Sequence, residues 1–212
     1  RIKNLPYFNY FTSRIFGNHV YSKSYYSDVE RLENTSVEKI STWIAQNLAP
    51  ATCIDIGCGP GHLAKALREK GINVVCTDIS DQSRLAVEAK EIPFFFHDLT
   101  TSEEISIRKD NRWDLAVCFE VAEHLEEKFA DIFVKKITNC SNLLMMTAAE
   151  PSKTGARGVL HFNEQPNDYW IKKVEKKTTF IFDAELTEKA RKNFLHGEVI
   201  SYLASPMIFR RN

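Results

Sequence analysis

The residues best suited to chemistry fall into three groups. The first is Asp55-Ile56-Gly57-Cys58-Gly59-Pro60-Gly61, an acidic residue followed by alternating glycines. Glycine lets a chain turn sharply and leaves no Cβ between the backbone and a ligand. The second is Asp78, which ends the apolar run Ile72–Thr77. An acidic residue about 20 positions after such a turn hydrogen-bonds a ribose diol in nucleotide-type sites. The third is Glu120, Glu123 and His124. On a helix, their i, i+3, i+4 spacing gathers three proton-binding groups on one face. His161 brings a second imidazole, in the stretch His161-Phe162-Asn163-Glu164-Gln165-Pro166. Imidazole as a side-chain type ordinarily titrates near neutral pH, so either histidine is a candidate general base. Against this stands a plainer reading, in which Glu123 and His124 only bond neighbouring backbone.

Positioning these groups requires alternating strands and helices. The β-branched run Thr52–Ile56 predicts a buried parallel strand leading into the glycines. Pro60 suits a first helical turn, and His62–Lys70 predicts a helix with Leu63, Ala66 and Leu67 on one face. After the strand Ile72–Thr77, Ser80 caps a helix reaching about Lys90. Pro93–Phe96 is a third strand and Trp113–Phe119 a fourth, with a polar stretch at 101–110 between them. A helix from Glu120 to about Thr138 leads to a fifth strand, Asn142–Thr147. A Gly-, Ser- and Lys-containing loop at 149–159 precedes a helix carrying Tyr169, Trp170 and Val174. Thr178–Phe182 is a sixth strand, Leu186–Phe194 a helix, and Val199–Phe209 a last, hairpin-like strand. At the other end, Asn34-Thr35-Ser36-Val37-Glu38 reads as the start of a helix running to Leu48. The aromatic-rich residues 1–27 read either as a packed helix or as a lid, with Tyr21, Tyr25 and Tyr26 on its cofactor side.

The spelling Asp55-Ile-Gly-Cys-Gly-Pro-Gly, with Asp78 and Asp98 after it, closely resembles the class I S-adenosylmethionine-dependent methyltransferases. A dinucleotide dehydrogenase more often has glycine where Asp55 stands. The resemblance is strong over about residues 50–150 and implies a Rossmann-like α/β fold. It implies a seven-stranded, mostly parallel sheet with an N-terminal helical cap over 1–49 and a core over 50–212, in one domain. It also implies that Asp55, Gly57, Gly59 and Gly61 hold the methionine end of the cofactor, Asp78 with Ile79 the ribose, Asp98 with Leu99 the adenine, and that Glu120 lines the pocket. The implied chemistry is methyl transfer from S-adenosylmethionine, with His161, His124 and Glu120 as catalytic candidates. Glu120-x-x-Glu123-His124 followed by His161 further resembles the magnesium-dependent O-methyltransferases of this fold. That likeness admits a divalent ion such as Mg²⁺, Mn²⁺ or Fe²⁺ without fixing its ligands.

Composition narrows the partners. The chain has 212 residues, 43% of them hydrophobic, and 28 basic against 28 acidic side chains. A balanced charge argues against a broad nucleic-acid footprint and favours a small polar acceptor, and the O-methyltransferase resemblance implies oxygen as the preferred nucleophile. Lys172, Lys173, Lys176 and Lys177 keep open a rival, 2′-O-methylation of RNA. A second rival is a cofactor-binding module without turnover. No apolar run reaches bilayer length. The five cysteines match no zinc spacing, so a reducing, cytosolic compartment is expected.

Overall fold

The computed structural model describes residues 23–105, 112–152, 158, 160–195, 199 and 203–212, with backbone alone for 23–34. Helix α1 (Lys23–Asn47) precedes the first strand-turn-helix unit, β1 (Thr52–Ile56) and α2 (His62–Glu69). Then come β2 (Asn73–Asp78), α3 (Asp81–Glu88), β3 (Phe94–Phe96) and β4 (Trp113–Cys118). Two short 3₁₀ turns, Ala122–His124 and Glu127–Phe129, lead into α4 (Ala130–Asn139). The chain finishes with β5 (Ser141–Met146), α5 (Asn167–Lys177), β6 (Phe180–Phe182), α6 (Ala184–Leu195) and β7 (Met207–Arg211).

The seven strands form one sheet in the order β3-β2-β1-β4-β5-β7-β6. All pairings are parallel except those of β7, which runs antiparallel to β5 and β6. The seven-stranded, mostly parallel sheet is thus as expected. The expected helix Leu186–Phe194 lies within α6, but the last strand is confined to Met207–Arg211 where Val199–Phe209 was expected, and β7 threads between β5 and β6.

Each sheet face carries its own core, because successive strand residues point to opposite sides. Cys53, Val74, Cys76, Leu115, Val117, Met145 and Ile208 pack with α1, α2, α3 and α6. Ile54, Ile56, Val75, Ala116, Cys118, Leu144 and Phe209 pack with α4 and α5. Trp170 is fully buried there, edge-on to Phe133 at 5.9 Å and to Tyr169 at 5.0 Å. A buried side chain of this size contributes about 2–3 kcal/mol.

The amino-terminal expectation changes in one respect. Asn34–Glu38 lies inside α1 and does not start it. Ser36 is buried, and Val37, Ile40, Trp43 and Ile44 join the core against α2 and α6. Burial of that stripe overrides the local capping preference of Asn34 and Thr35. Tyr21 falls outside the described residues, as do the side chains of Tyr25 and Tyr26.

Candidate functional site

The strand order reverses between β1 and β4, and open α/β sheets bind ligands beyond the carboxyl ends of such neighbours. The three chemical groups converge there. Asp55 is buried within β1, paired in register with Cys76 on one side and Val117 on the other. The next residues fold back over β2: Gly57 and Cys58 both donate N–H to Thr77 O, at 2.8 and 3.2 Å. Gly57, Gly59 and Gly61 all have positive φ, of 71°, 52° and 75°. Packing adds a second reason for two of these glycines. A Cβ on Gly57 would lie 2.4 Å from Val121 Cγ2, and one on Gly61 would lie 2.8 Å from Val87 Cγ2. Pro60 sits in the turn ahead of α2, whose N-cap is Gly61, and not in the first helical turn.

Asp78 ties the glycine turn to the end of β2. Gly59 N–H donates to its Oδ2 at 3.0 Å and Ser80 N–H to its Oδ1 at 2.9 Å. Burial raises this carboxyl above the ordinary carboxylate range, and those N–H donors pull it part of the way back. Ile79 is the half-exposed residue that follows. Past β3, Asp98 accepts from the Thr100 N–H at 2.8 Å and from the Thr100 hydroxyl at 2.6 Å. Its Oδ2 is buried with no donor among the described residues. Leu99 packs against the α4–α5 core.

Glu120, Glu123 and His124 do meet, but not along a helix. Glu120 stands at φ 55°, a left-handed conformation that costs a non-glycine residue about 1–2 kcal/mol. Its N–H is held by Thr147 O at 3.3 Å and Thr147 Oγ1 at 3.2 Å. The 3₁₀ turn then directs Glu123 inward, where both its oxygens are buried beside the Glu120 carboxyl. Burial, followed by the neighbouring Glu120 carboxyl, pushes Glu123 well above the carboxylate range. Glu120 is raised as well, chiefly by burial. His124 is driven down to about 4 by burial and by the facing His161.

His161 reaches this turn through backbone bonds. Phe162 and Asn163 donate their N–H groups to Glu123 O at 2.8 and 3.0 Å, and His124 Nδ1 donates to Leu160 O at 3.1 Å. The two imidazoles meet edge to face with centroids 4.8 Å apart. Glu164 Oε1 takes His161 Nδ1 at 2.7 Å and the Gly158 N–H at 2.9 Å. Donor atoms of Glu123, His124 and His161 lie within 4.8 Å of one another. Octahedral ligands about 2.1 Å from an ion stand about 3 Å apart when adjacent and about 4.2 Å when opposite. These residues therefore fit a divalent ion after a small contraction. Their nitrogen–oxygen donor set suits Mn²⁺ or Fe²⁺, and each histidine has the second hydrogen bond that orients a metal-binding ring.

Comparison with known proteins identifies the family and the fold. Residues 28–173 match the family described as Methyltransferase domain. The chain belongs to the methyltransferase domain family. A ubiquinone biosynthesis O-methyltransferase of Rickettsia akari is 28% identical over 128 residues, which cover 58% of this chain and 51% of that protein. The chain thus spans about half the length of that relative. Among solved folds, a TehB-like SAM-dependent methyltransferase from Corynebacterium glutamicum superposes with a TM-score of 0.66 at 16% identity, over 92% of this chain and all of that one. A magnesium protoporphyrin IX methyltransferase from Synechocystis, with bound S-adenosylhomocysteine, gives 0.59 at 18% identity over 88% and 86%. The class I methyltransferase resemblance is borne out in family and in fold.

Within this methyltransferase fold, several supporting residues carry no sequence signal of their own. Thr147 holds Glu120 from the end of β5, and Gly158 leaves room for His161. A Cβ on Gly158 would lie 2.3 Å from His161 Cε1. Lys136, buried within α4, reaches the segment after β3.

Proposed function

We propose that this methyltransferase-family chain transfers the methyl group of S-adenosylmethionine to an oxygen of a small polar acceptor, acting as one domain with 1–49 as its cap and 50–212 as its core. The observation that carries this reading is the junction at Asp78. One carboxylate closes the glycine turn through Gly59 and Ser80 at the carboxyl end of β2, the place from which an acidic side chain accepts ribose hydroxyls in nucleotide-type sites. In this reading Asp55 and the glycine turn receive the methionine end, Asp78 and Ile79 the ribose, Asp98 and Leu99 the adenine. When bound, the cofactor supplies an activated methyl group on a sulfonium, and transfer is an in-line displacement. The protein then aligns the acceptor and takes its proton. Burial keeps His124 neutral at physiological pH, and its Nδ1–H bond to Leu160 O leaves the ring lone pair on Nε2, the form a general base needs. Glu120 lines the crevice beside it.

A small acceptor is favoured over RNA by the fate of the lysine cluster on α5. Lys173 and Lys177 both pair with Asp131, and Lys173 also lies over the Tyr169 ring. The free cysteines fit the reducing, cytosolic compartment, and no helix among the described residues is long and apolar enough to cross a membrane.

The test is calorimetric titration with S-adenosylhomocysteine, followed by methyl transfer to hydroxylated small molecules and to short RNA. Asp78→Ala is expected to weaken S-adenosylhomocysteine binding on the order of 100-fold, through lost charged hydrogen bonds and a loosened glycine turn. Wild-type protein that binds no S-adenosylhomocysteine would refute the reading. Binding without transfer to any acceptor would leave the non-catalytic module in its place.

The cluster of Glu123, His124 and His161 favours a second reading, in which a divalent ion assists. An ion held there would supply Lewis acidity toward an acceptor hydroxyl. Glu123, His124 and His161 would hold it, with Glu120 beside them. Gly158→Ala forces the His161 ring aside, yet Gly158 is exposed and its stability cost is small. Expected is a fall in turnover of roughly tenfold or more with S-adenosylhomocysteine affinity unchanged within about twofold. Unchanged turnover would remove His161 from the mechanism.

A further inference from the structure

We propose that Lys136 is a positioning residue for the cofactor, holding the segment after β3 so that Asp98 presents one carboxylate oxygen to the adenine amino group. The inference rests on the assignment of Asp98 to the adenine made above.

Lys136 enters from α4, in the layer beneath the segment it holds, and is only 2% exposed. Its ammonium donates to Asp98 O at 2.8 Å, Thr101 Oγ1 at 3.2 Å and His97 Nε2 at 3.1 Å. Three protons meet three acceptors, all on residues 97–101. Burial lowers the Lys136 pKa, while the charges of Asp98, Glu103 and Glu104 work the other way. Burying an ammonium is costly, and neutral side chains could pack the same space. What the ammonium adds is a fixed point for a tight turn.

That turn determines where Asp98 points. Thr101 also donates N–H and hydroxyl to Asp98 O, at 3.4 and 3.0 Å, so Lys136 and Thr101 grip the same carbonyl. Thr100 occupies Oδ1 through two donors. Oδ2 remains buried with no hydrogen-bond donor among the described residues, which is the state of an acceptor awaiting a ligand's N–H. With Lys136 removed, the turn keeps its local bonds and the packing of Leu99 but loses its polar tie to α4, and Oδ2 loses its aim.

The experiment compares S-adenosylhomocysteine with its analogue lacking the adenine 6-amino group, titrated into wild type, Lys136→Met and Thr101→Val. Wild type is expected to prefer the amino ligand by roughly tenfold, as one hydrogen bond to a charged acceptor allows. Lys136→Met should bind S-adenosylhomocysteine roughly tenfold more weakly and lose most of that preference. Thr101→Val, which keeps α4 intact, should move both values the same way by roughly threefold, and it decides the matter if Lys136→Met does not fold. Variants that keep the wild-type preference, or that weaken both ligands equally, overturn the inference while leaving the cofactor assignment standing. Wild-type protein that binds neither ligand removes the cofactor assignment and the inference together.

Discussion

Gly57→Ala is expected to eliminate measurable S-adenosylhomocysteine binding and to destabilise the fold by about 3 kcal/mol. Two costs add. A left-handed residue with a Cβ costs about 1–2 kcal/mol, and Gly57 has φ 71°. The new methyl would also lie 2.4 Å from Val121 Cγ2, and overpacking of this kind costs about 1–3 kcal/mol. Val121 is not a passive neighbour, since it links Glu120 to the 3₁₀ turn that carries Glu123 and His124. The strain therefore reaches both halves of the site. Chemical denaturation and calorimetric titration measure the two effects. Adding Val121→Ala should recover the steric share of the stability, and none of the left-handed share. A Gly57→Ala protein with wild-type stability and affinity would show that neither constraint operates.

Glu123→Gln is expected to raise stability by about 2 kcal/mol at pH 8 in chelator, and to remove the stabilisation that Mn²⁺ gives the wild type. Burial and Glu120 raise the folded-state pKa of Glu123, whereas the unfolded chain ionises in the ordinary carboxylate range. A raised carboxyl contributes stability below its unfolded pKa and loses that contribution as pH climbs toward the folded value. Each pH unit in that window is worth about 1.4 kcal/mol, and relaxation around the buried group leaves about 2 kcal/mol. Glutamine has no proton to lose, so its slope vanishes. His124 has the opposite sign. Its folded-state value is about 4, against about 6.5 unfolded. Stability is therefore lost as pH falls through that interval, in both proteins. Urea midpoints from pH 5 to 8.5, with Mn²⁺ and with chelator, separate these terms. Equal slopes in the two proteins would discard the buried-proton account, and a wild type indifferent to Mn²⁺ would discard the ion.

Legibility in the sequence followed the physics of each element. The strands of the sheet were readable because each is a short apolar run bounded by polar or turn residues, as in Thr52–Ile56 and Trp113–Cys118. Asp55, the glycines and Asp78 were readable because a tight turn and the carboxylate that closes it demand particular residue types. Glu120 to His124 was readable as a cluster but not as a shape. The i, i+3 spacing of Glu120 and Glu123 does not demand an α-helix, and nothing in a glutamate announces a positive φ. Lys136 and Gly158 were invisible for a common reason. A lysine in an amphipathic helix reads as solvent-facing and a glycine in a polar loop reads as filler, until the fold brings His97 to one and His161 to the other.

The loop bearing His161 is fastened to the 3₁₀ turn by main-chain bonds from the amides of Phe162 and Asn163 to the carbonyl of Glu123. Bonds of that kind do not depend on side-chain identity. Phe162, 55% exposed, can therefore be exchanged while its neighbour His161 keeps its place. Such a loop separates the identity of an exposed side chain from the placement of its neighbours: a lineage can revise position 162 without rebuilding the contacts that hold His161 beside His124.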